Sequence, residues 1–106
     1  MLRVQHLVLD IIRQLNPVLA TIRRKDRDLE NQLRQAIMSV ALNLAEGVAT
    51  CDGNKRLRYQ TALGSLDEAR MALDVACAFG YVPAIDPALE KQMRDAGYML
   101  ASLAKR

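Results

Sequence analysis

Apolar residues recur along the chain at steps of three and four in four separate segments, which is the spacing of a helical face. In the first, about Leu2 to Arg23, one stripe is Leu7, Ile11, Leu15, Val18 and Ile22, and a second beside it is Val4, Val8, Ile12 and Leu19. Pro17 removes one internal hydrogen bond, but the periodicity continues to Ile22, so a kink is expected there rather than an end. The polar run from Arg23 to Asp28 then makes a turn. A second helix is predicted from about Asp28 to Ala49, on Leu29, Leu33, Ile37, Val40, Leu44 and Val48, with Asp28 or Asp26 as its cap. Ala36, Ala41 and Ala45 on this helix are small enough for a neighbour to approach closely.

The third helix is predicted from about Gly53 to Phe79, with Asp52 as N-cap. Leu57, Thr61, Gly64, Leu66, Leu73 and Ala76 are expected on its inner face, with Ala62, Ala69 and Cys77 beside them. Gly80 stops it by tolerating the left-handed conformation. Asp86 and Pro87 open the fourth helix, whose stripe is Leu89, Met93, Ala96, Leu100 and Leu103. No segment reads as a strand. Four helices with short connections imply an all-α, up-down-up-down antiparallel four-helix bundle, one domain over residues 1–106.

The stripes are wider than one small bundle needs, which is an arc of about 100° per helix. Met71, Val75 and Phe79 lie off the main stripe of the third helix. Tyr98 and Met99 do so on the fourth, and Val4, Val8, Ile12 and Leu19 on the first. Apolar face in excess of a core marks an interface, so a homo-oligomer is favoured over a merely wide core.

Composition narrows the classes. Apolar residues make up 51% of the chain, too many for a disordered tail. No run approaches the ~20 apolar residues of a membrane span. His6 and Asp10 interrupt the N-terminal apolar run and no small-residue cleavage site follows, so a cytoplasmic protein without a leader is expected. Two cysteines and one distant histidine do not supply the four ligands of a structural zinc site. In a reducing compartment a disulfide is disfavoured, leaving Cys77 as a small buried hydrophobe and Cys51 as a loop residue. A di-iron bundle requires paired Glu-x-x-His motifs, and the sole histidine has no glutamate three residues before it. A Gly-rich phosphate loop is likewise missing, since Gly64 and Gly80 are isolated. No enzyme, metal or cofactor is expected.

The most distinctive stretch is Asn43, Ala45, Glu46 and Gly47 near the end of the second helix, followed by Gly64, Ser65 and Glu68 in the third. Together with Gln32, Arg34 and Ala36, these residues resemble the motifs of the bacterial four-helix-bundle family named for proteins encoded in 23S rRNA intervening sequences. The likeness spans about Leu29 to Tyr81. It implies a barrel-like homopentamer without established enzymatic activity. It also implies kinship of fold with the accessory variability determinant of diversity-generating retroelements, which binds nucleic acid and a reverse transcriptase through a basic surface. This chain departs from the family after the first motif, where Ala49, Thr50, Asp52 and Lys55 replace a Gly-Arg pair and a Ser-to-Glu capping box.

Antiparallel pairing across the 50–53 loop sets residues whose numbers sum to roughly 103 opposite one another. Glu68 is then expected near Arg34 and Gln35, Ser65 near Met38 and Ser39, and Glu46 and Asn43 near residues 57–60. The favoured reading is structural: polar groups satisfy one another at a helix seam, Arg34 neutralises Glu68, and Gly64 lets the backbones approach. The alternative, a carboxylate active site, has no competent partner.

Charge is the remaining signal. The formal net charge is only +3, but its distribution is uneven. Arg23, Arg24, Lys25 and Arg27 cluster at the first turn, and Lys55, Arg56 and Arg58 at the start of the third helix. The two clusters lie at opposite bundle ends, with Asp26, Asp28 and Asp52 among them. They are either solvated helix ends or contacts to RNA or DNA phosphates. Five copies in a ring would carry roughly +15, enough to attract a polyanion. With aromatics at 4%, base stacking is disfavoured and backbone contact expected. The function expected is thus a non-enzymatic oligomeric scaffold or adaptor that binds nucleic acid. The alternative is a protein-interaction module, for instance for a reverse transcriptase, with no direct nucleic-acid role.

Overall fold

The computed structural model describes residues 1–105 and consists of four helices: α1 (Arg3–Arg23), α2 (Arg27–Ala49), α3 (Asn54–Ala78) and α4 (Pro87–Ala104). Consecutive helices pack on each other and α4 closes back on α1, so the bundle is square and up-down-up-down. Among the described residues, no helix is long and apolar enough to cross a membrane.

Each end has a local cause. At α1 the Gln5 side chain accepts the Leu2 amide at 2.7 Å. Of the two aspartates expected to cap α2, Asp26 does so: its Oδ1 accepts the Leu29 amide at 3.0 Å. Asp52 holds the Asn54 amide at 2.9 Å from one residue before the N-cap, which is Gly53. Asp86 accepts the Ala88 amide at 2.9 Å, with Pro87 in the first helical position. At the end of α3, Gly80 has φ +75°, the Tyr81 amide returns to Ala76 O and the Gly80 amide to Cys77 O, both at 2.9 Å. That pair of bonds is a Schellman turn. Phe79 and Tyr81 stack across it with ring centroids 5.2 Å apart.

Asp26 has a second task. Its Oδ2 accepts the Tyr81 hydroxyl at 3.2 Å, so one carboxylate ties the α1–α2 turn to the α3–α4 loop at the same end of the bundle. Burial raises the Tyr81 phenol above its ordinary pKa, and the hydrogen bond to Asp26 and its negative charge raise it further.

The core is aliphatic: Ile11, Leu15, Ile22, Leu33, Ile37, Leu44, Leu66, Leu73, Met93 and Leu100 are its largest fully buried members. Burying each such side chain contributes ~1.5–3 kcal/mol. Two expectations fail here. Of the second face of α1, Val4, Val8 and Leu19 are buried and Ile12 is half-buried against the core. A helix in a square bundle packs on two neighbours, so both stripes of α1 are core. Conversely, Leu57, Thr61, Gly64 and Val48, expected inside, are exposed. The inner face of α3 keeps the expected Leu66, Leu73 and Ala76 with Ala62 and Ala69, and adds Tyr59, Ser65 and Ala72. Cys77 is half-buried and Cys51 exposed.

The glycine that permits close approach is Gly47, not Gly64. A Cβ built on Gly47 would lie 2.6 Å from the Tyr59 ring, whereas one on Gly64 meets nothing within 4 Å. Gly47→Ala is therefore expected to lower stability. Overpacking costs ~1–3 kcal/mol, against up to ~1 kcal/mol regained in helix propensity. Thermal denaturation followed by circular dichroism checks this, and an unchanged or higher Tm refutes the contact.

Candidate functional site

The α2–α3 seam carries most of the motif residues. The Ser39 and Ser65 hydroxyls lie 2.7 Å apart, matching the expected hairpin register. Asn43 Nδ2 donates to Ser39 O at 3.0 Å and to Ser39 Oγ at 3.1 Å. Arg58 in turn reaches Asn43 Oδ1 at 3.4 Å and Glu46 Oε2 at 3.0 Å. Ser65, Ser39, Asn43, Arg58 and Glu46 thus form one polar ladder between the helices. Among the described residues no buried side-chain nitrogen or oxygen lacks a partner. This seam satisfies itself, so its arrangement explains packing rather than chemistry.

Arg34 does not neutralise Glu68. Its Nε bonds Glu30 Oε2 at 2.7 Å, one turn back on the same helix. Glu30 is buried, with 7% of its surface exposed, and this carboxylate wins Arg34 because the i,i+4 spacing needs no reach across the seam. Glu68 is exposed and pairs with no cation among the described residues. It borders a groove of about 620 Å³ between α2 and α3, with Gln32, Gln35, Ser39, Ser65 and Met71.

The two basic clusters have different fates. Arg56 Nε donates to Ala104 O at 2.8 Å, placing a cation on the C-terminal carbonyls of α4 where the helix dipole favours it. Arg58 belongs to the seam ladder. Lys55 lies over the Tyr59 ring, 6.0 Å from its centroid, and contacts Thr50 O at 3.5 Å. Arg56 and Arg58 thus tie α3 to α4 and α2, and Lys55 contacts the end of α2, while all three side chains remain exposed.

In the first cluster, Arg23, Arg24 and Arg27 remain exposed and outside any ion pair among the described residues. The structure adds Arg34 to them. Together with Asn16 and Ala20 they line a hollow of about 400 Å³ along the outer α1–α2 groove. Asn16, Ala20, Arg23 and Arg24 share one face of α1, and Arg27 and Arg34 stand two turns apart on α2. Lys25 is exposed in the turn and does not line the hollow. Arg24 Nε is held by Ala20 O at 3.4 Å and Arg34 Nε by Glu30, so each keeps its Nη groups for a ligand. The heptad spacing from Arg27 to Arg34 was the sequence signal for this grouping.

Among the described residues no three His, Cys, Asp or Glu side chains converge as metal ligands. Set beside protein-family models, curated proteins and solved structures, the chain matches none.

Arg56→Gln is expected to lower folding stability by about 1 kcal/mol, the worth of one net hydrogen bond. Urea denaturation measures it, and an unchanged midpoint would show that the Ala104 contact contributes nothing.

Proposed function

We propose that this chain is a non-enzymatic oligomeric scaffold that binds RNA or DNA through the phosphate backbone. The observation that carries this reading is the hollow formed by Arg23, Arg24, Arg27 and Arg34. Arginine forks suit phosphate oxygens, and among the described residues no aromatic side chain lines the hollow to stack on a base. Contacts of this kind release counterions, so affinity falls steeply with salt. Contact is confined to Arg23, Arg24, Arg27 and Arg34, in place of both clusters.

A second face supports assembly. Leu57, Gly64 and Met71 lie exposed along one side of α3, and Met38 and Leu42 are exposed on α2. A mid-helix glycine costs ~0.5–1 kcal/mol relative to alanine, and Gly64 relieves no contact within its own bundle. A close approach from another molecule accounts for it. A second copy of the chain is the occupant favoured here. The ring of five copies follows from the resemblance to the intervening-sequence family rather than from this face. In such a ring each hollow is repeated, and weak contacts gain by avidity. The same face is also the best support for the alternative, in which it docks a protein partner such as a reverse transcriptase and nucleic acid plays no part.

Two measurements test the reading. Fluorescence anisotropy with labelled RNA and DNA is expected to give affinity that drops with salt. Neutralising Arg23, Arg24, Arg27 and Arg34 to Gln should remove most of it and reduce the log–log salt slope by roughly 0.7–0.9 per lost phosphate contact. Arg56→Gln with Arg58→Gln should leave binding largely intact. Equal loss in both variants, or no loss in either, rejects the assignment.

Light scattering at micromolar concentration is expected to give a mass several times that of the chain. Leu42→Glu with Met71→Glu should reduce that mass while helical circular dichroism persists. A wild-type monomer ends the oligomer proposal, and binding by that monomer would leave only the phosphate-contact half standing.

A further inference from the structure

We infer that the four-arginine hollow is a discrete site for a phosphomonoester, such as the terminal phosphate of a strand, rather than one more stretch of diffuse basic surface. The inference deepens the nucleic-acid reading above and rests on it for the strand, though not for the phosphate chemistry. Charge is the first ground. Four arginines line the hollow, and among the described residues a single ion pair, to Glu30, neutralises one of them. Asp26 is engaged elsewhere, by the Leu29 amide and the Tyr81 hydroxyl. A backbone diester brings one negative charge, whereas a terminal phosphate brings about −1.5 to −2 at neutral pH and three accepting oxygens. The excess of three positive charges exceeds what either brings and is offset more fully by the monoester than by the diester.

Geometry is the second ground. The hollow of about 400 Å³ has the size of a small-ligand pocket, not of a track along a duplex. Bonds from Arg24 to Ala20 and from Arg34 to Glu30 fix two of the four forks in advance, which lowers the ordering cost of binding. The third ground is position. Arg27 is the first residue of α2, where the positive end of the helix dipole disfavours a cation. Its side chain forms no ion pair among the described residues that would offset this. An anion in the hollow would do so. Apart from the arginines, only Asn16 and Ala20 line it, so recognition should end at the phosphate and ignore base identity.

The test uses the full chain and a single-stranded oligonucleotide labelled at its 3′ end, bearing either a 5′-phosphate or a 5′-hydroxyl. The phosphorylated strand is expected to bind about tenfold tighter, the worth of one further charge at short range. Arg23→Gln with Arg27→Gln, which leaves the Arg34–Glu30 pair in place, should bring the two affinities together without loss of helical circular dichroism. Adenosine 5′-monophosphate, titrated by calorimetry with adenosine as control, forms a second arm. A strand preference without nucleotide binding assigns the hollow to strand ends. Saturable nucleotide binding lost in the double variant, without strand preference, assigns it to a free phosphomonoester. Equal strand affinities together with silent nucleotide titrations overturn the inference, and if both strands still bind with steep salt dependence, the broader backbone reading survives it. If neither strand binds, that broader reading fails, and the nucleotide titration alone decides the inference.

Discussion

A helix in a square four-helix bundle must satisfy two neighbours at once. That constraint governs the rest of the molecule, because it demands apolar side chains over a broad arc and leaves only a narrow outer strip on each helix. On α1 the arc absorbs Val4, Val8 and Leu19 as well as Ile11, Leu15 and Ile22. On α3 it is met largely with alanine, so that neighbouring helices come near without large side chains between them. What remains for chemistry is whatever the outer strips hold: arginine along the α1–α2 groove, and Leu57, Gly64 and Met71 along α3.

The α2–α3 seam shows how polar residues are accommodated within the same constraint. Hydroxyls, an amide, a guanidinium and a carboxylate form a continuous ladder beside the apolar interior. Buried polar groups are costly when orphaned and tolerable when paired. The ladder also fixes register, since slipping α3 by one position would separate Ser65 from Ser39 and drive Tyr59 off Gly47. Arginine is divided between two uses. Arg56 and Arg58 bond a carbonyl and a carboxylate of other helices, whereas among the described residues Arg23, Arg24 and Arg27 make no side-chain bond to another helix.

Much of the fold was legible because its signals are local. Periodicity located four helices to within a residue or two, and Asp26, Gly80, Asp86 and Pro87 act at their ends as their chemistry dictates. The hairpin register placed Ser65 beside Ser39 and Glu46 beside residues 57–60. What was not legible depends on three-dimensional choice. A wide stripe is compatible with one broad core or with a core plus an interface, and only packing showed that on α1 it is all core. Glu68 and Glu30 both lie within sequence reach of Arg34, but burial of Glu30 decides between them. The two basic runs look alike in sequence. They differ because one abuts the α4 C-terminus and the seam, while the other borders an open groove with Arg34 at its far side. Gly47 and Gly64 were equally available for a close approach, and it took the position of Tyr59 to separate them.

The carboxylate of Asp26 bonds both the first turn of α2 and the loop after α3. The two chain reversals at that end are thereby joined into one unit, although more than fifty residues of sequence lie between them. The opposite connection, around Cys51 to Gly53, is exposed, and among the described residues the tie at that end runs from Arg56 in α3 to Ala104 rather than from the loop itself. Evolutionary change in length should consequently be unequal at the two ends: insertions are cheap around Cys51, while an insertion around Tyr81 displaces a partner on which the arginine-bearing turn is built. A tag or fused domain belongs in the former loop, and homologous chains should vary there first.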